Sequence, residues 1–196
     1  APLRELHGKI ALPASKSISN RLLIINALAY SPFKIKNLSD SDDTRVMNAI
    51  LQSNDSVFDI GHAGTAMRFL TAYLSRIAGV WVLTGSERMQ QRPVKILVDA
   101  LRLLGANIEY MRKEGFPPLK IFGAHLKGGT LELDGSVSSQ YITALLMIAP
   151  TLEGGLTLRL KNRITSRSYI EMTLKLLELS GIRSFWEHNE IRVPEQ

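Results

Sequence analysis

No cysteine occurs in the chain. That excludes a disulfide framework, a zinc site with thiolate ligands and a thiol nucleophile, and it fits a reducing compartment. Long apolar runs are missing too. The longest, Leu22–Tyr30, is interrupted by Asn26 and is too short to span a bilayer. The N-terminus shows no signal-peptide pattern, and Ala1 rather than Met opens the chain, as a processed or trimmed start would. Histidines are few and scattered: His7, His62, His125 and His188 form no metal-ligand spacing. No Ser/His/Asp arrangement can be built from the spacings, so hydrolase chemistry has little support. No general base stands out either, because Asp40, Asp42 and Asp43 are explained by a capping role at one helix start.

What is present is a chain of 196 residues, 45% hydrophobic and 21% charged, enough for one domain or two small ones with a proper core. The net charge of +6 attracts anions. The basic residues are spread out, with no Lys/Arg block among aromatics, so small anionic ligands are favoured over nucleic acid.

The organising stretch is LPASKSISNRLLII, Leu12–Ile25. Ser15 or Ser17 can cap a helix that starts near Lys16. A helix start presents free N–H groups and the positive end of a dipole, which suits a phosphate or carboxylate. Ser17 and Arg21, four apart, share one face of its first turn. An ordinary Ser-capped helix with a solvated basic end explains the same residues equally well.

Along the chain, Lys9–Leu12 reads as a strand, Lys16–Ala29 as a helix and Phe33–Leu38 as a second strand, with Phe33 and Ile35 alternating against Lys34 and Lys36. SDSDDTRVMNAILQS and GHAGTAMRFLTAYLSRIAG read as helices flanking a strand at Val57–Ile60. A strand at Val80–Leu83 follows, then a helix opened by Pro93 and stopped by Gly105. Asn107–Tyr110, Leu119–Phe122 and Gly129–Leu133 are strand-like. Ser138–Ala149 and Ser166–Leu179 are helices around a strand at Leu156–Leu160, and a terminal strand pair turns at His188-Asn189. Helices come in pairs, and the leading helix of each pair opens on a small polar motif: Ser15-Lys16-Ser17, Gly64-Thr65 and Ser138-Ser139-Gln140. Three βαβαββ units packed around a pseudo-axis would bring those starts to one cleft. Taken singly, each start is also what ordinary helix capping produces.

Other candidates for chemistry are less specific. GHAGTAMR joins a glycine turn to Arg68 one helical turn on, but it is neither a Walker loop nor a dinucleotide fingerprint. Arg88 and Arg92, four apart, form either an anion clamp or surface ion pairs with Glu87 or Asp99; the ion pairs are the commoner use. DGSVSSQYITALL puts hydroxyls and an amide at the start of an apolar helix, where they suit a phosphate or polyol. SRSYI brings Ser166, Arg167 and Tyr169 to the last helix start.

In this order, LPASKSISNR, SDSDDTR, AGTAMR, LTGSERMQQRP, DGSVSSQYITALLMIAP and SRSYI resemble the motifs of the EPSP synthase family, over nearly the whole chain. The resemblance implies an α/β (α+β) fold of two domains, each of three βαβαββ units around a pseudo-threefold axis, with ligands between the domains. It implies transfer of the enolpyruvyl group of phosphoenolpyruvate to the 5-hydroxyl of shikimate 3-phosphate, releasing phosphate, in aromatic amino-acid biosynthesis. The implied enzyme is cytoplasmic and monomeric, uses no cofactor or metal, touches no membrane or nucleic acid, and is the target of glyphosate. Its chain is roughly twice this length, near the size where chains divide into domains. Residues 1–13 would then cross to the partner domain and 14–196 would form the shikimate-3-phosphate-binding domain. The catalytic acid and base would lie in the C-terminal domain, so this chain alone is expected not to turn over.

By the same resemblance, Lys16 would touch both substrates. Ser17, Arg21, Ser138, Ser139, Gln140, Ser166 and Tyr169 would bind shikimate 3-phosphate. Gly64, Thr65, Arg92 and Gln140 would bind phosphoenolpyruvate, with Arg68 and Asp43 in support. The chain departs from the family pattern at His62, where Asn is usual, at Phe69 and Ser168, where Pro is common, and in LPAS for LPGS. The stretch Leu51–Ile60 is also short, which trims a hairpin. A transferase acting on UDP-N-acetylglucosamine would carry a Lys-Asn pair and a reactive Cys or Asp, where this chain has Lys16-Ser17 and no Cys. A noncatalytic phosphosugar-binding module is the alternative from another class. An RNA-end-processing relative lacks support, for want of its His motif and of basic tracts.

Overall fold

The computed structural model describes residues 8–10 and 12–196. Two helices come first, α1 (Lys16–Leu28) and α2 (Asp42–Leu51). Ser15 caps α1 by accepting from the Ile18 amide, and Asp42 and Asp43 place acids on the first turn of α2, where the dipole favours them.

Two copies of one topology follow. The first runs β1 (Val57–Asp59), α3 (Gly64–Arg76), β2 (Gly79–Thr84), a short α4 (Glu87–Gln90), α5 (Lys95–Leu103), β3 (Asn107–Tyr110) and β4 (Leu119–Gly123). The second runs β5 (Lys127–Asp134), α6 (Ser139–Ile148), β6 (Glu153–Lys161), α7 (Arg167–Leu179), β7 (Phe185–Glu187) and β8 (Glu190–Val193). Their sheets have matching orders, β1-β2-β4-β3 and β5-β6-β8-β7. In each, a parallel pair joined through a helix is followed by an antiparallel hairpin. These are the βαβαββ units expected from the sequence, and the fold is mixed α/β.

The core sits between the helices. Every residue of α6 from Tyr141 to Ile148 is buried, and α3 buries nearly its whole length. Helices apolar on all sides belong in the middle of a fold; α6 packs on α3 and α7, and α1 packs on all three. By contrast α5 has one apolar face, with Leu97, Val98 and Leu101 buried and Leu103 exposed.

The remaining unit has its helix pair, α1 and α2, without the strands expected at Lys9–Leu12 and Phe33–Leu38. Lys9, Ile10 and Leu12 pair with nothing among the described residues, and Ala11 lies outside them. Phe33 is 77% exposed and Asn37 takes a left-handed φ of 55°. Alternation of apolar and charged residues makes a segment able to pair, but a strand exists only with a ladder partner. Smaller corrections concern ends: α3 starts at Gly64 rather than Gly61, α5 starts at Lys95 rather than Pro93, and Gly181 ends a helix whose following strand begins only at Phe185.

Candidate functional site

The starts of α1, α3 and α6 meet. Between them lies a cleft of about 310 Å³. Lys16, Ser17, Asn20 and Arg21 line it from α1, Thr65 and Phe69 from α3, Ser138, Ser139 and Gln140 from α6, and Tyr169 from α7. Of the sequence candidates for shikimate 3-phosphate only Ser166 stands apart: it does not line the cleft, it is exposed, and it holds a left-handed φ of 53° as the cap of α7. A hollow of about 620 Å³ beside the β7–β8 hairpin is larger. It is walled by surface side chains such as Arg159, already paired with Glu190 at 2.8 Å, and no helix start faces it.

Arg21 is the centre of the cleft. It is 3% exposed and finds no carboxylate among the described residues. Its Nε donates to Thr173 Oγ1 at 2.8 Å, its Nη1 to the Ser17 carbonyl at 2.8 Å, and its Nη2 to Thr143 Oγ1 and the Tyr169 carbonyl, both at 3.2 Å. The guanidinium also lies against the rings of Phe69 and Tyr169, 5.6 and 5.9 Å from their centroids. Burial lowers its pKa from the ordinary guanidinium range to about 10, with Tyr169 opposing the shift, so it stays charged at neutral pH. A buried cation held in place by neutral acceptors is a charge awaiting a counter-ion.

Asp43 joins two of the helix starts. One carboxylate oxygen accepts from the Thr65 amide at 2.9 Å, capping α3 from α2. The other lies 3.3 Å from Lys16 Nζ, which holds the lysine at the mouth of the cleft. Gln140 Nε2 donates to Thr65 Oγ1 at 3.3 Å and closes the link from α3 to α6.

The second wall is built on Gly64. A Cβ there would run into the guanidinium of Arg92, lying 2.9 Å from its Cζ, so only glycine lets Arg92 rest on the start of α3. Arg68 is 5% exposed, donates to the Gly64 carbonyl at 2.8 Å and leaves its Nε without a partner. Burial lowers its pKa, and the neighbouring Arg92 lowers it further while Tyr141 and Asp43 oppose. Next to it is a hollow of about 410 Å³ lined by His62, Arg88, Met89 and Arg92, with His62 Nδ1 2.8 Å from Ser86 Oγ. The ion pairs preferred for Arg88 and Arg92 on sequence grounds are absent among the described residues: Asp99 pairs instead with Lys95 and Arg102. Both guanidiniums therefore remain available to an anion. Thr143, Thr173, Asn20 and Phe69 are part of the site and were not candidates. Asn20 is fully buried, accepts from Thr44 Oγ1 at 2.6 Å and keeps an unpartnered Nδ2.

Arg21 in the cleft and Arg88 and Arg92 at the smaller hollow are thus cations without a carboxylate partner among the described residues, the chemistry that anionic ligands require. The family model of EPSP synthase (3-phosphoshikimate 1-carboxyvinyltransferase) matches residues 1–53 and 51–184. A 3-phosphoshikimate 1-carboxyvinyltransferase of Bacteroides fragilis is 56% identical over 95% of this chain and 45% of its own. One of Vibrio atlanticus is 41% identical over 92% of this chain and 49% of its own. The solved EPSP synthase from Acinetobacter baumannii superposes with a TM-score of 0.82 over 96% of this chain and 48% of that one; at 22% identity this is a likeness of fold. The chain thus spans about half the length of the curated relatives it matches. On the strength of the family model and these relatives, the chain belongs to the EPSP synthase family.

Proposed function

We propose that this chain is the shikimate-3-phosphate-binding part of a 3-phosphoshikimate 1-carboxyvinyltransferase. The observation that carries the reading is the convergence of three helix starts on Arg21, a buried guanidinium without a carboxylate among the described residues. Arg21, Ser17, Ser138, Ser139 and Gln140 hold shikimate 3-phosphate, and Tyr169 packs along it. Gly64, Thr65 and Arg92 hold phosphoenolpyruvate, which Gln140 also reaches, with Arg68 and Asp43 behind them. Lys16 neutralises charge on both. Ser166 contributes by shaping the turn into α7.

The reaction joins the 5-hydroxyl oxygen of shikimate 3-phosphate to the enolpyruvyl carbon of phosphoenolpyruvate and releases phosphate. These residues supply register and charge: two polyanions repel in water, and fixed N–H dipoles with cations hold them together. Residues 14–196 form this wall, residues 1–13 cross to a second domain, and that second domain brings the acid and base. A cytoplasmic, cofactor-free, monomeric enzyme is part of the same reading. Among the described residues no helix is long and apolar enough to cross a membrane.

Two measurements test it. Titration calorimetry with shikimate 3-phosphate should show binding that Arg21→Ala and Ser138→Ala each weaken by roughly tenfold or more, the loss of a charge-assisted or a helix-start hydrogen bond. Equal binding by both variants would dismiss the site. In a phosphate-release assay with both substrates this chain alone should give no significant turnover, and normal turnover would overturn the division of labour.

A further inference from the structure

Gln140 and Tyr141 are neighbours on the first turn of α6, and they reach in different directions. Gln140 touches Thr65 on α3. Tyr141 reaches the segment that carries Arg92: its hydroxyl donates to the Pro93 carbonyl at 2.7 Å. That segment has no regular structure between α4 and α5. The Arg92 amide donates to the Met89 carbonyl at 3.0 Å and the Val94 amide to the Gly115 carbonyl at 2.8 Å, which leaves Pro93, with no N–H, held through its carbonyl by Tyr141. The ring of Tyr141 is 7% exposed, and the Arg68 guanidinium lies over it, 5.8 Å from the centroid. Arg68 in turn holds the carbonyl of Gly64, and Arg92 rests against the Cα side of that same glycine. One side chain therefore braces both supports of Arg92, the turn behind it and the helix start beneath it.

We infer that Tyr141 is a positioning residue for Arg92, through which the wall formed by α6 fixes the wall formed by Gly64 and Arg92. The inference rests on Arg92 as a phosphoenolpyruvate ligand. Tyr141 does not line the cleft; its hydroxyl acts by limiting the freedom of the Arg92–Pro93 segment, so that less ordering remains to be done when the anion binds. Phenylalanine at this position keeps the ring, its packing and the stacking of Arg68 over it, and removes the hydroxyl, which carries the tether to Pro93 and also supports the Arg68 cation.

The test follows the Gly64 and Thr65 amide resonances of the isotope-labelled chain during titration with phosphoenolpyruvate, at saturating shikimate 3-phosphate. The variants are Tyr141→Phe, Arg92→Ala and the two combined. Tyr141→Phe is expected to weaken phosphoenolpyruvate by roughly 5- to 10-fold, the scale of one neutral hydrogen bond. It should leave shikimate 3-phosphate affinity in place, lower the melting temperature by no more than the loss of one hydrogen bond explains, and add nothing to Arg92→Ala. A general structural role predicts a different pattern: both ligands weakened together and losses that add. A shift that Arg92→Ala abolishes and Tyr141→Phe leaves unchanged overturns the role of Tyr141 alone. No shift in the unsubstituted chain, or one that Arg92→Ala leaves intact, removes the phosphoenolpyruvate wall itself and the inference with it.

Discussion

Replacing Arg21 by methionine separates a binding cation from a structural strut. Methionine fills most of the volume of the arginine stem and packs well against the rings of Phe69 and Tyr169. Four donated hydrogen bonds disappear. Their acceptors are not left bare: the Tyr169 carbonyl still receives Thr173 Oγ1 at 2.8 Å, and Thr143 and Thr173 still share a bond of 3.1 Å. Against those losses stands the unfavourable burial that brings the guanidinium down to about 10, on the order of 3 kcal/mol. The sign follows from the direction. A cation with a depressed folded pKa weakens the fold at every pH below about 10, and the penalty lifts only as pH climbs from there toward the ordinary arginine range. Arg21→Met should therefore leave the free energy of unfolding at neutral pH unchanged or raised by up to about 2 kcal/mol, as replacing buried charges by apolar groups does elsewhere. Shikimate 3-phosphate affinity should fall roughly 10- to 150-fold, the value of a charge-assisted contact. Urea unfolding and titration calorimetry on the same preparation read both quantities. A variant destabilised by more than about 3 kcal/mol that binds the ligand as before would show that the arginine serves the fold, and the reasoning would be refuted.

Gly64→Ala should leave stability within about 0.5 kcal/mol, because the clash is with the far end of a flexible side chain; it should displace Arg92 and weaken phosphoenolpyruvate at least tenfold while shikimate 3-phosphate binds as before, as paired titrations would reveal. Asp43→Ala removes the cap on the Thr65 amide and should cost about 1 kcal/mol in urea unfolding, most of it recovered by Asp43→Asn, which keeps an acceptor. Asp134 accepts from the Ser136 side chain and amide and from Asn162, which order the loop entering α6 and hold its carboxyl below the ordinary 3.8. Its contribution to stability is thus present above 3.8 and lost as pH falls through the lower folded value. The stability gap between the unsubstituted chain and Asp134→Asn should close on acidification, and a gap that widened would contradict the assignment.

How far the sequence carried depends on how local each signal is. The start of α1 was legible because Ser15, Lys16 and Ser17 advertise a cap by themselves, and the central place of α6 because Tyr141–Ile148 offers no polar face. Phe33–Leu38 misled because alternation records the capacity to pair and carries no information about a partner. Thr143 and Thr173 were invisible for a related reason: each is a hydroxyl among apolar residues on the buried face of its helix, and only the packing of α1 against α6 and α7 turns them into acceptors for Arg21. The fate of Arg88 and Arg92 likewise turned on tertiary placement, since Asp99 faces the other way, toward Lys95 and Arg102. Ser166 stands outside the cleft while Tyr169, from the same motif, lines it, a difference that only the turn into α7 decides.

The most direct test of the central claim is a crystal structure of this chain grown with shikimate 3-phosphate. The account predicts one molecule in the cleft between the starts of α1, α3 and α6, its phosphate within hydrogen-bond distance of Ser17 or Ser138 and its charge beside Arg21. A ligand seated elsewhere, with Arg21 facing an empty cleft, would contradict it.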